Sequence, residues 1–189
     1  METLKIKLVG VSSMLMHSSR TSNPMDPEVK KFKHLTSKRK KSDEDHRDIA
    51  RMEFELGMYF DAKIGPYMPG QNLLMAIVDG GKFSKLGTAI LRSVQILEDR
   101  VPLQYEGPRT VQALWDKGFY DLRSVGVQAK RTMRCRACFE KWSLAVEFFY
   151  DDSMVNRDQL VSALEAAGKY SGLGDYRPLF GRFKVEAAT

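Results

Sequence analysis

Trp142-Ser143-Leu144-Ala145-Val146-Glu147-Phe148-Phe149-Tyr150 places Trp, Leu, Val, Phe and Tyr at every second position against Ser, Ala, Glu and Phe. Side chains of an extended chain alternate between two faces, so this period predicts a core strand with one wholly apolar face. Further out, Leu4, Ile6 and Leu8 alternate with Thr3, Lys5 and Lys7, predicting a half-buried strand near the other end of the chain. After Tyr150, Asn156 and Gln159 cap a helix whose buried face is Leu160, Ala163, Leu164 and Ala167, ended by Gly168. Residues 181–187 close as a final strand.

Between these ends, Ser42 and Asp45 offer a capping box, and Ile49, Met52 and Leu56 recur at helical spacing up to Gly57. Pro66, Pro69 and Gly70 then mark a turn, and Leu73, Leu74, Ile77 and Val78 form one helical stripe ending at Gly80-Gly81. Val94 and Ile96 suggest a strand, residues 101–105 another, and residues 110–117 a short helix containing Trp115. Strand, helix, several strands, helix, strand is an α+β order, compatible with a ferredoxin-like (RRM-like) split βαβ core in a single domain over residues 1–189. Residues 11–42 keep no apolar period and carry Ser12, Ser13, Ser18, Ser19, Asn23, Pro24 and Pro27, which reads as a functional or mobile loop. Residues 11–57 as a whole read as a long insertion after the first strand, or as a subsidiary lobe.

A chain of 189 residues with 43 % apolar and 29 % charged residues can bury roughly two thirds of its surface, which excludes disorder throughout. No apolar run approaches the roughly 20 residues of a membrane-spanning helix, and residues 1–10 lack a basic start followed by an apolar stretch. Two cysteines make no disulfide framework. The expectation is a protein of the cytoplasm with no membrane partner. Thirty Lys and Arg against 24 Asp and Glu leave a net charge of +6, which favours a polyanionic partner.

Three segments concentrate that charge. Lys30, Lys31, Lys33, Lys38, Arg39, Lys40 and Lys41 lie close together around Phe32 and His34, in a stretch able to follow a phosphate backbone. Asp43, Glu44, Asp45 and Asp48 follow directly and offer the alternative of a solvated, self-neutralised loop. If residues 130–138 are a strand, Lys130, Arg134 and Arg136 share one face while Met133, Cys135 and Ala137 share the other. The third segment runs Gly172-Leu173-Gly174-Asp175-Tyr176-Arg177-Pro178-Leu179-Phe180-Gly181-Arg182-Phe183. Its glycines allow tight turns and close approach to a ligand, Arg177 and Arg182 add forked donors, and Tyr176, Phe180 and Phe183 add stacking surfaces, with the core as the alternative place for Phe180 and Phe183. No Walker loop occurs, so nucleotide hydrolysis is not expected. Cys135 and Cys138 lack a second Cys or His pair at zinc-ligand spacing, and neither a metal nor another cofactor is expected.

The pieces Gly65-Pro66-Tyr67-Met68-Pro69-Gly70-Gln71-Asn72-Leu73-Leu74-Met75-Ala76 and Gly172 to Phe183 resemble the two signature segments of RAMP proteins. These are the backbone and RNA-processing subunits of CRISPR effector complexes. The first looks like the family's proline-glycine turn before the first helix of its ferredoxin-like core, the second like its glycine-rich loop before the last strand. Gln71-Asn72 stand where family members often carry two serines. As a whole the chain also resembles small proteins carried by phages and prophages, whose place would be the host cytoplasm.

The resemblance implies a palm with a long insertion, residues 11–57, reaching single-stranded RNA or DNA or a neighbouring copy. It also implies assembly of a homo-oligomer along the strand through backbone contacts that ignore base identity. The residues expected to bind are Lys38, Arg39, Lys40, Lys41, Lys130, Arg134, Arg136, Gly172, Gly174, Tyr176, Arg177 and Arg182. The reading that leads is a non-catalytic binder. One alternative is a RAMP-type endoribonuclease: Asp26, between Pro24 and Pro27, occupies the first loop where some family members place a cleaving aspartate. In that case His17 would be a candidate proton shuttle. Another alternative is a phage protein whose basic loop docks on an acidic surface of a host protein.

Overall fold

The computed structural model describes residues 1–127 and 130–187, with the side chains of residues 127 and 130 outside the described part. In chain order the elements are β1 (Glu2–Gly10), β2 (Met14–Met16), α1 (Pro27–Ser37), α2 (Asp43–Gly57), β3 (Phe60–Asp61), β4 (Gly65–Pro69), α3 (Gly70–Gly81), α4 (Gly87–Ser93) and β5 (Val94–Gln95). They continue as β6 (Arg100–Pro102), α5 (Val111–Asp116), β7 (Tyr120–Val127), β8 (Lys130–Phe139), β9 (Ser143–Tyr150), α6 (Arg157–Ala166) and β10 (Phe183–Ala187). The fold is mixed α+β with antiparallel sheets.

The principal sheet has the order β10-β1-β9-β5, with every neighbouring pair antiparallel. The alternation in 142–150 and in the first strand is the cause of its register: Leu4 pairs with Phe148, Ile6 with Val146 and Leu8 with Leu144. All six side chains are buried on one face. Leu73 and Ile77 of α3 and Leu160 and Leu164 of α6 join them in one core. The chain therefore leaves β1, returns through α3 and α4 as β5, leaves β9, and returns through α6 as β10 beside β1.

Two smaller sheets flank this layer, β2-β8-β7 and β3-β4-β6. Cys135, Ala137 and Phe139 of β8 are buried with Phe54 and Met58, and α2 packs on β8. The capping box of Ser42 and Asp45 is formed, as is that of Asn156 and Gln159.

Residues 11–42 correct the expectation of a segment without a core face. Met14, Leu15 and Met16 are fully buried in β2, and α1 forms within the supposed loop. A three-residue strand is too short to display alternation, and α1 buries only Val29, so no apolar stripe marks it. Its start signal is nonetheless local, Asp26 at the N-cap and Pro27 at the first helical position. Because Met14, Met16 and Phe54 belong to the same core as β1 and β9, the 11–57 segment shares its packing with the rest of the domain. Among the described residues no helix is long and apolar enough to cross a membrane.

Candidate functional site

The glycine-rich loop is built to hold a shape. At its start the Gly172 N–H donates to the carbonyl of Ala167 (2.7 Å), closing a π-helical turn over Ala167–Ser171. Gly174 has φ +85° and lies so near β2 that a Cβ there would sit 2.3 Å from the carbonyl oxygen of Leu15. Gly181 is tighter still: at φ +74° its Cβ would fall 1.7 Å from the carbonyl oxygen of Leu173. Four backbone bonds fasten the loop: Leu173 N–H to Gly181 (2.8 Å), Asp175 N–H to Leu15 (2.7 Å), Gly181 N–H to Ser13 (2.8 Å) and Val11 N–H to Arg182 (2.7 Å). Leu173 is thereby buried while Tyr176, Arg177 and Leu179 are left exposed, and Phe183, expected among the stacking surfaces, is instead buried in the core at the start of β10.

Beside the loop stand arginines of the second sheet. On β8, Arg136 forms an ion pair with Asp175, and its Nη1 is buried without a hydrogen-bond partner. On β7, Arg123 is held by Asp121, whose hydrogen bond pushes the guanidinium pKa above its usual range. Its guanidinium carbon lies 4.4 Å from the ring centroid of Phe180 and 5.6 Å from that of Tyr176, while Arg136 approaches Tyr176 at 5.8 Å. The β7 partner places Asp121 opposite Arg136 and Arg123 opposite Arg134, so four charged side chains share one sheet face. Arg134 reaches around the strand to Glu53 on α2 (2.7 Å), whose second oxygen accepts the Cys135 N–H (2.9 Å). Arg134 and Arg136, the two arginines of β8 expected to contact nucleic acid, are thus each paired with a carboxylate. The side chain of Lys130, expected on the same face, lies outside the described residues.

The two segments that carry the family resemblance meet in space. A cleft of about 170 Å³ is lined by Asn72 and Met75 of α3 on one side and by Gly174 and Arg177 on the other, with His17 and Tyr59 at its end. There the Asn72 amide donates to the Tyr59 hydroxyl (3.2 Å), which donates to the carbonyl of His17 (3.4 Å). Across the Gly174–Arg177 stretch a second, open cleft of about 490 Å³ is bounded by Asp79, Tyr170, Tyr176 and Arg177. Arg177 stands at both, with Nη1 3.5 Å from Asp79. Arg182 turns back on the loop instead, its Nε donating to the carbonyl of Pro178 (2.8 Å).

The basic run lies elsewhere. Residues 38–41 connect α1 to α2, and of these Lys41 lines a groove of about 510 Å³ together with Phe32, Met133 and Arg134. Lys38 donates to Asp45 (2.7 Å), and that hydrogen bond, with one from the Ser42 backbone, pulls the Asp45 carboxyl down to about 2. Arg39 and Lys40 are exposed and have no ion pair among the described residues. Asp26, the alternative cleaving carboxylate, caps α1 through the N–H groups of Glu28 (2.9 Å) and Val29 (3.4 Å) and is ion-paired with Arg20 (2.7 Å). The Arg20 hydrogen bond holds its pKa below the ordinary carboxylate value.

Cys135 and Cys138 point to opposite faces of β8, and burial pushes their thiols up to about 12 and about 11. Among the described residues no group of three or more His, Cys, Asp or Glu side chains is placed to hold a metal ion.

Sequence reasoning missed Arg123, Asp79 and Tyr59. Only Arg123 left a local trace: Asp121, Arg123 and Val125 alternate with Tyr120, Leu122 and Ser124 in a strand the reading of the sequence passed over. No protein-family model and no curated protein matches the chain.

Proposed function

We propose that this chain is a non-catalytic, RAMP-like protein with a ferredoxin-like core that binds single-stranded nucleic acid and assembles along the strand. Support for the core comes from the order β10-β1-β9-β5, with helical crossovers after its first and third strands in chain order. The observation that carries the reading is the meeting of 65–76 with 172–183 at the smaller cleft, which Arg177 shares with the larger one.

The chemistry follows from that arrangement. A guanidinium on a loop fastened by backbone bonds loses little freedom on gripping a phosphate, and it offers two parallel donors. Asp79, at 3.5 Å and half-exposed, is a weak partner that a phosphate displaces. Tyr176, supported from behind by Arg123 and Arg136, presents a ring to a neighbouring base. Such contacts read backbone and π-face rather than base edges, in keeping with the net charge of +6. The capping of α1 by Asp26 and its ion pair with Arg20 give that carboxylate a structural role, which favours the non-catalytic reading over the cleaving one.

Fluorescence anisotropy of labelled single-stranded RNA and DNA across a salt series tests this. The expected log–log slope has a magnitude above about 2, at about 0.7 per phosphate neutralised. Light scattering on strands of increasing length should show mass rising in steps as adjacent copies add contacts. Absence of binding at low salt removes the reading. A mass that stays monomeric on every length removes the assembly claim, and regular cuts lost in Asp26→Ala favour the ribonuclease.

A further inference from the structure

At the end of α3 the chain touches α6 backbone to backbone. A Cβ on Gly80 would sit 2.0 Å from the carbonyl oxygen of Ala163 and 2.6 Å from the backbone nitrogen of Ala167. The contact sets side by side the turns that follow the two helices, Lys82–Ser84 after α3 and Ala167–Ser171 after α6. Each turn lifts one aromatic ring off the surface. Phe83 is 65 % exposed, Tyr170 is 49 % exposed, and their ring centroids are 5.1 Å apart. Neither ring is among the buried side chains of the core. Two large apolar rings held together in water gain little for the fold, so their placement calls for an occupant.

The charge around the rings says which occupant. Lys169 lies 5.1 Å from the Tyr170 centroid, Lys82 flanks Phe83, and Lys85 follows two residues later. Tyr170 borders the 490 Å³ cleft whose opposite wall is Tyr176 and Arg177. The carboxylates of that cleft, Asp79 and Asp175, are both neutralised, Asp79 by Lys82 (2.6 Å) and Arg177, Asp175 by Arg136. Cations therefore rim the rings without a free carboxylate in the cleft to repel a phosphate.

We infer that Phe83 and Tyr170 form a stacking platform for an unpaired base of the strand whose phosphates lie along Arg177 and Lys169, an inference that rests on the nucleic-acid reading above. The platform recognises the π-face common to all bases, so the site is tolerant of sequence but demands that the base be present and unpaired.

The test compares an intact labelled single-stranded 20-mer with the same strand made fully abasic, at low salt, using the full-length chain. Wild-type protein should bind the intact strand more tightly. Phe83→Ala combined with Tyr170→Ala should weaken binding of the intact strand by about 5- to 100-fold and leave the abasic strand unchanged, while Tyr170→Phe keeps wild-type affinity. A second readout is Phe83→Trp, whose emission should be quenched by the intact strand and not by the abasic one. An intact-strand affinity unchanged in the double variant, or equal losses on both strands, overturns the platform while leaving the nucleic-acid reading standing. No binding of either strand by wild-type protein overturns both. A fall in mass of the strand-free protein on the double substitution assigns the rings to a contact between copies instead, and also overturns the platform.

Discussion

The guanidinium of Arg123, on β7, stacks over the ring of Phe180 in the glycine-rich loop, with its carbon 4.4 Å from the ring centroid. This contact ties the outer edge of the second sheet to the segment that leads into the last strand of the principal one. It helps fix the loop from its outer side, as the backbone bonds to Ser13 and Leu15 fix it from its inner side. A loop held on both sides can aim Arg177 at a ligand with little ordering cost.

Arg177→Ala with Arg182→Ala should weaken single-strand binding by about tenfold or more, and Lys38→Ala with Lys40→Ala by less than about threefold. Arg177 is presented by a fixed loop, whereas Lys38 is already engaged by Asp45 in an exposed connection. Anisotropy titrations measure both, and equal losses in two folded variants would make the basic run the main contact.

Gly181→Ala should destabilise the protein by more than about 2 kcal/mol. The left-handed backbone alone costs a side chain about 1–2 kcal/mol, and the Cβ would also meet the carbonyl oxygen of Leu173 at 1.7 Å. Gly126→Ala, with nothing within 4 Å of its Cβ, should stay within about 0.5 kcal/mol of wild type. Urea unfolding of the pair decides, and similar midpoints would contradict the strapped geometry of the loop.

Glu53 is buried, receives a hydrogen bond from Arg134 and accepts the Cys135 N–H at a point where β8 has run past the end of β2. Removing the carboxylate strands both donors, so Glu53→Ala should cost about 3 kcal/mol or more. Glu53→Gln keeps an acceptor for the Cys135 N–H and should cost less. Chemical denaturation that found the two variants equally stable would count against this bridge.

The Asp45 carboxyl lies at about 2, lowered from 3.8 mainly by the Lys38 hydrogen bond. A depressed folded-state pKa contributes stability that is present above the unfolded value and is lost as pH falls through the folded value. The difference in Tm between wild type and Asp45→Asn should therefore be greatest above about pH 4 and shrink towards pH 2. Thermal melts at a series of pH values check this, and a difference independent of pH would mean that the carboxylate charge does not stabilise the α2 cap.

The strands at 2–10 and 143–150 and the helices at 43–57, 70–81 and 157–166 were legible because their causes are local. Alternation in Leu4, Ile6 and Leu8 and in Leu144, Val146 and Phe148 needs only the period of an extended chain. The Ser42–Asp45 and Asn156–Gln159 boxes need only three residues of separation. The helix at Pro27–Ser37 was hidden because it buries a single side chain, and the strand at Met14–Met16 because it is shorter than the pattern that would reveal it.

The ingredients of the candidate site are local: a loop with three glycines, two arginines and stacking rings, and a strand carrying Arg134 and Arg136. Tertiary structure alone decided which charges are spent and which rings stay exposed. Glu53 meets Arg134, Asp175 meets Arg136, and Phe83 meets Tyr170 across long stretches of chain. The physical reason is that caps and periodicity act over a few residues, whereas an ion pair or a stacked ring depends on where strand order and helix packing bring distant segments. The approach of Gly80 to Ala163 is such a case: it decides that two turns lie side by side, and no local pattern records it.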